Sequence, residues 1–195
     1  MRRLNRIKRP VKSPKNNSII DRILLNLYDS VDYGFSYRVK KGLYIDDLFH
    51  NSRWKKFDKK QLHKSLGNLK RSNFIIEKED YDGSVIVLLS DKGKLRALDL
   101  RFKQLKSKKG DWDGKWRMVF FDIPEKCRKG RDAIRYRLKM AEFYELRESV
   151  FIFPYDCEKE IRDFIKLFKL EKYIWFGVLD FIDGGEYIAG LFKLK

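Results

Sequence analysis

The sequence predicts an α+β protein in two parts. The N-terminal part is helix-rich and carries a β-hairpin, and the C-terminal part alternates strands and helices in a β-α-β-β-α-β-like order. Three observations carry this expectation. Apolar residues recur at helical spacing within 18–31 and 57–74. Asp82-Gly83 sits between two strand-like runs, a strong hairpin signal. The charge divides as the elements do: residues 1–110 hold 28 Lys/Arg and 12 Asp/Glu, net +16, whereas residues 111–195 hold 17 and 16, net +1.

The totals limit what the chain does. Its 195 residues are 43% hydrophobic and 15% aromatic, enough for one sizeable core or two small ones. The basic half is built to meet a polyanion, nucleic acid foremost, although membranes and acidic proteins also attract such a surface. Cys127 and Cys157 form no CxxC pair and no secretion signal precedes them, which points to a reduced, cytoplasmic protein. His50 and His63 lie far apart in sequence, which argues against a zinc finger. No apolar run approaches the roughly 20 residues that span a bilayer, so no membrane partner is expected. "MRRLNRIKRPVKSPK" carries seven basic and no acidic residues and lacks the apolar core of a signal peptide. Residues 1–17 are expected to be a disordered basic arm, touching DNA or simply solvated.

The elements follow in order. Ser18 caps a helix running to Val31, with Ile20, Leu24, Leu27 and Val31 as its apolar stripe. Residues 32–43 carry loop signals, and "YIDDLFH" (44–50) is a candidate short helix. In "FDKKQLHKSLGNLKRSNF" (57–74), Asp58 is an N-cap and Leu62, Leu66 and Leu69 form one stripe. At about 100° per residue, Lys60, Lys64, Gly67 and Arg71 fall on the opposite face. The glycine removes a side chain where that helix would press against a partner. The hairpin follows, with an acidic tip of Glu77, Glu79, Asp80 and Asp82 that phosphates would repel, and then a helix from Ser90. Helix, helix, basic helix, hairpin, helix is the order of a winged helix-turn-helix domain, expected over 18–100, in which the third helix enters the major groove.

Residues 101–113 read as a basic linker, and 114–195 as a ferredoxin-like β-α-β-β-α-β domain. "WRMVFFDIP", "ELRESVFIFPY" and "KYIWFGVLDFI" are strands, the last of them one strand or two. Helices span 128–141 and 158–170, and "GGEYIAGLFKLK" is a short helix or tail. These strands are apolar on both faces, but two helices cover only one. The second face needs a lid: a symmetric partner, contacted through Met118, Phe120, Val150, Ile152 and Trp175, or the chain's own N-terminal half.

"WDGKWRMVFFDIPEKCRKGRDAIRYRLKMAEFYELRESVFIFPYD" resembles the central domain of PaaX-type transcriptional repressors. "WDGKW" (112–116), "FDIPE" (121–125) and "SVFIFP" (149–154) are the most specific pieces, and "LSDKGK" (89–94) adds weaker support in the winged half. Such repressors join a winged helix to a domain similar to the CRISPR-associated Cas-two endonuclease. The resemblance, over roughly residues 18–190, implies dimerisation through the ferredoxin-like domain and DNA binding through the winged helix. PaaX repressors continue into a further C-terminal domain, which is not expected in these 195 residues.

In the Cas-two family an aspartate ends the first strand, and Asp122 matches that position. Two such aspartates across a dimer would hold one Mg²⁺ or Mn²⁺ and activate water for phosphoryl transfer. Alternatively Asp122 caps the helix that starts at Arg128, or pairs with a basic side chain. Trp112 and Trp116 either stack on a base or anchor a linker to the core. Arg128, Arg131, Arg135 and Lys139 either track a phosphate backbone or form a solvated face.

The expected function is a homodimeric transcriptional regulator of PaaX type, a repressor that binds double-stranded DNA through the helix at 58–72. Lys59, Lys60, His63, Lys64, Gly67, Asn68 and Arg71, with Arg53, Lys55 and Lys56 before them, would contact the duplex. No cofactor, enzymatic activity or named inducer goes with that reading. One alternative is a divalent-metal-dependent nuclease or CRISPR-adaptation subunit using Asp122. A second is a scaffold that binds nucleic acid without sequence preference.

Overall fold

The computed structural model describes residues 18–30, 36–40, 54–55, 57–107 and 111–194. The expected basic arm, the short helix at 44–50, Arg53 and Lys56 lie outside them. The first helix, α1 (Ile19–Tyr28), starts where its cap does: Ser18 Oγ accepts the Asp21 amide at 3.1 Å. It buries Ile23, Leu24 and Leu27. Strand β1 (Ser36–Lys40) then corrects the loop expected over 32–43. Its Tyr and Val are strand formers at alternate positions, and it occupies the edge of the hairpin that would otherwise stay unpaired.

Helix α2 (Lys59–Arg71) is capped by Asp58, whose Oδ1 accepts the Gln61 amide at 2.8 Å. Leu62, Leu66 and Leu69 are buried as their spacing requires. Strands β2 (Ile75–Glu79) and β3 (Ser84–Leu89) form the hairpin, with Gly83 at φ +74° in its turn. The sheet order is β1-β3-β2, antiparallel throughout. Helix α3 (Asp91–Lys106) starts from Ser90, which accepts the Gly93 amide at 3.1 Å and donates to the Asn73 carbonyl at 2.6 Å. Gly93 has no alternative here, because a Cβ would lie 2.0 Å from the Phe74 carbonyl oxygen. Residues 101–106, expected in a linker, are instead the last turns of α3, with Phe102 and Leu105 buried. Five Lys and Arg between 101 and 109 give the segment a linker's composition and hide those two apolar anchors.

The C-terminal elements are β4 (Trp116–Phe121), a 3-10 turn (Glu125–Cys127), α4 (Arg128–Met140), β5 (Tyr144–Arg147), β6 (Val150–Phe153), α5 (Glu158–Phe168), β7 (Ile174–Leu179) and α6 (Gly185–Phe192). The strands stand in the order β5-β6-β4-β7 and pair antiparallel, so the β-α-β-β-α-β succession is present. The internal hairpin lies within 144–153, read from sequence as one strand, and 174–179 is a single strand. Its turn, Glu148-Ser149, lacks Gly, Asn or Pro, and a bulge separates Glu145 from Arg147.

One sheet face, with Val119, Phe121, Phe151, Phe153 and Ile174, packs on Ile134, Leu138, Ile161 and Phe164 of α4 and α5. The same apolar cluster continues without a break into α1, α2 and α3. The two parts are joined by charge as well. Arg137, 6% exposed, lies 2.7 Å from Asp99 of α3 and beneath the Phe164 and Phe168 rings. The Tyr28 hydroxyl donates to Asp163 of α5, and Lys106 pairs with Glu142 at 2.7 Å.

Candidate nucleic-acid interface

Helix α2 presents its cations outward. Lys59, Lys60, His63, Lys64 and Arg71 are exposed, while Gly67 and Asn68 are half-buried. Arg71 donates through its guanidinium to the Asn68 side-chain oxygen, which aligns two donor-rich groups on one face. A Cβ built on Gly67 meets nothing within 4 Å. A mid-helix glycine is worse than alanine by about 1 kcal/mol, and no contact inside the chain requires this one. Lys55 is exposed between Trp54 and Phe57, two buried aromatics that pin the entry to α2. The acidic hairpin partly answers this helix: Glu77 binds Lys70, which lies beside the apolar stripe and away from the Lys60–Lys64–Arg71 face.

The second basic stripe differs. Arg128 and Arg131 both bind Glu125, Arg135 donates to the Glu148 carbonyl, and Lys139 pairs with Glu145 at 2.8 Å. The stripe on α4 is therefore neutralised by neighbouring carboxylates. Glu125 shows the effect, since the hydrogen bond from Arg131 holds its carboxyl below the ordinary range.

Asp122 follows β4 and is exposed; its amide donates to the Tyr173 carbonyl at 2.9 Å. It caps nothing: the 3-10 turn starts from Pro124 and α4 from Cys127, neither with a side-chain cap. Among the described residues its carboxylate has no ion-pair partner. Glu125, the nearest acidic residue in sequence, is committed to Arg131 and Arg128. Among the described residues no group of three His, Cys, Asp or Glu could hold a metal ion. Within one chain the residues at Asp122 do not fit a metal centre, and the site would need a carboxylate from a second copy.

"WDGKW" is an anchor. Trp116 is buried, Trp112 packs on it at 4.8 Å between ring centroids, and the Trp112 indole N–H donates to the Lys115 carbonyl at 2.9 Å. Gly114 turns the chain at φ +75°. Both Asp113 oxygens accept from the Arg117 guanidinium at 2.6 Å, and Arg117 also donates to the Pro154 carbonyl at 3.0 Å.

The five residues expected at a dimer contact do share one face. Met118 stands opposite Ile152, and Phe120 opposite both Val150 and Trp175. Part of that face has a lid foreseen in neither form: α6 covers it, placing Ile188 against Trp116 and Ile152, so Ile152 is fully enclosed. Phe120 and Trp175 stay outside the lid, stacked at 4.9 Å, with Trp175 43% exposed. Sequence reading passed over Arg137, although its place three residues from Ile134 and beside Leu138 puts a charge within an apolar stripe.

The Asp113–Arg117 clamp should be visible to acid. Its hydrogen bonds lower the Asp113 pKa from 3.8 to about 2. A depressed carboxylate contributes stability above its unfolded pKa and loses it as pH falls through the folded one. The Trp112 indole N–H resonance, followed by NMR from pH 4 to pH 2, should therefore shift in the wild type. In Asp113→Asn that acid-dependent step should be missing, and its persistence would show that another group controls the turn.

No curated protein matches the chain. Residues 109–186 match the family model described as the PaaX protein central Cas2-like domain. That span covers the Trp112 anchor, the β4–β7 sheet, Asp122 and the start of α6, and over it the chain is similar to that domain of the PaaX-type family.

Proposed function

We propose that the protein is a DNA-binding transcriptional regulator of PaaX type, acting as a repressor. Residues 18–100 would serve as a winged helix-turn-helix, with α2 as the recognition helix. The observation that carries the reading is the contrast between two basic helices. The stripe on α4 is answered by carboxylates of its own domain, whereas Lys60, Lys64 and Arg71 on α2 face solvent around a glycine that no internal contact requires. The net +16 of residues 1–110 supports the same assignment. The β2–β3 wing, with its acidic tip, would brace α2 through Glu77 rather than touch phosphate. The regulator would act as a homodimer through the open part of the sheet face at Met118, Phe120, Val150 and Trp175, with one recognition helix in each half-site.

The DNA face is tested by binding of the full chain to a pool of genomic duplex fragments. Gly67→Ala should raise stability by about 0.5–1 kcal/mol in urea denaturation while weakening DNA binding. Lys64→Ala should lower the slope of log affinity against log salt by about 0.9, the contribution of one phosphate contact. Unchanged affinity and slope in both variants would remove α2 from the interface.

The dimer is tested by light scattering at micromolar concentration. Wild type should run as a dimer and Trp175→Glu as a folded monomer, because the substitution places a charge on an exposed apolar face. A monomeric wild type would sink the assembly.

A second reading stays open because the exposed Asp122 carboxylate makes no ion pair among the described residues. In that reading the chain is a metal-dependent nuclease in which Asp122 of two copies holds Mg²⁺ or Mn²⁺. A cleavage time course on single- and double-stranded substrates, with and without metal, separates the two. The regulator predicts negligible cleavage by wild type and by Asp122→Asn, with DNA binding kept in both. Metal-dependent product that disappears in Asp122→Asn would establish the nuclease.

A further inference from the structure

A cavity of about 660 Å³ opens at the seam where α1 and α3 meet α5. That volume is within the range of small-molecule sites, about 300–1,000 Å³. Its wall from α3 is Leu95 and Leu98, and its wall from α5 is Leu167 and Phe168. None of these four offers a hydrogen-bonding group, so an occupant would meet them through hydrocarbon.

The polar groups at the mouth divide unequally. The acidic ones are answered within the protein: Asp163 accepts from Tyr28 and from Lys159 at 2.8 Å, and Asp91 pairs with Lys94 at 3.2 Å. Burial and the Asp163 bond push the Tyr28 phenol far above its ordinary pKa, which keeps it neutral. Lys92 donates to the Ser72 carbonyl at 3.0 Å and lies over the Phe74 ring. Lys166 and Lys169 also line the cavity, and among the described residues neither ammonium has a partner. Lysines at a helix C-terminus complement its dipole, which accounts for Lys166 on general grounds. It does not account for both lysines lining one apolar recess whose carboxylates already have partners.

We infer that this cavity binds a small amphiphile with an apolar body and one anionic head: a medium-length aliphatic carboxylate, its chain against Leu95, Leu98, Leu167 and Phe168 and its head between Lys166 and Lys169. Because the walls come from both parts of the molecule, the occupant would tie α3 to α5. The site stands independently of the DNA-binding reading, since no α2 residue lines it.

The full chain would be titrated calorimetrically with decanoate, with decan-1-ol, which keeps the chain and lacks the charge, and with decyltrimethylammonium, which reverses it. Methyl NMR would follow the leucines. Decanoate should bind saturably at one site and shift the Leu95, Leu98 and Leu167 methyls, leaving those of Leu62 and Leu66 in place. The alcohol should bind more weakly and the cation not at all. Lys166→Ala/Lys169→Ala changes exposed side chains only, so it should fold normally and weaken decanoate by about tenfold. The inference is overturned if no saturable binding is seen, if the alcohol or the double-lysine variant binds equally well, or if the shifts map to the Trp175 face.

Discussion

Helix α3 is buried on opposite sides, and the rest of the molecule is arranged by that constraint. Leu95, Leu98, Asp99 and Lys106 fall on one face at about 100° per residue, and Arg96, Ala97, Leu100 and Arg101 on the other. The first face meets α4 and the turn after it through the Asp99–Arg137 and Lys106–Glu142 pairs, and lines a cavity with α5 through Leu95 and Leu98. The second meets α1, where Arg96 binds Asp21 at 3.0 Å and Arg101 binds Asp29. A helix buried on both sides cannot act as a tether. It is a shared wall, and the apolar core runs through it from α1 to β7. The charges on its flanks sit in fixed pairs, so the relative placement of the two parts is held by geometry as well as by burial.

That wall also explains how charge is distributed. Five arginines near it or near the central sheet are matched: Arg96, Arg101, Arg117, Arg131 and Arg137 all have carboxylate partners. The α2 face leaves Lys60, Lys64 and Arg71 exposed to solvent. A field of one sign concentrated on a single helix attracts a polyanion far more effectively than the same number of charges scattered among ion pairs.

Local chemistry was readable from the sequence, and pairing between distant segments was not. Ser18, Asp58 and Ser90 each announce a helix start because an oxygen-bearing side chain precedes an apolar period, and each accepts the expected amide. Leu62, Leu66 and Leu69 declare the buried side of α2 by spacing alone. Strand β1 was missed because its stability comes from an edge of β3 some fifty residues later, with Ser36 opposite Leu88. The end of α3 was hidden by its lysines and arginines, and the turn at Glu148-Ser149 by the absence of turn residues. At the candidate site, the exposed cations of α2 were legible from the helical period. The commitments of Glu125 and Arg137, and the lid that α6 lays over Ile152, depend on tertiary contacts that no local pattern encodes.

The shared wall has a consequence for biosynthesis. The chain is made from its N-terminus, and domains ordinarily fold as units while the remainder is still being synthesised. Here α3 leaves the ribosome well before α5, its partner on the other side. The nascent N-terminal part must therefore present Leu95 and Leu98 to solvent until residues 158–168 arrive. Through that interval the protein offers an apolar strip to chaperones that the finished molecule conceals, and a chain arrested between the two helices would remain a client of them.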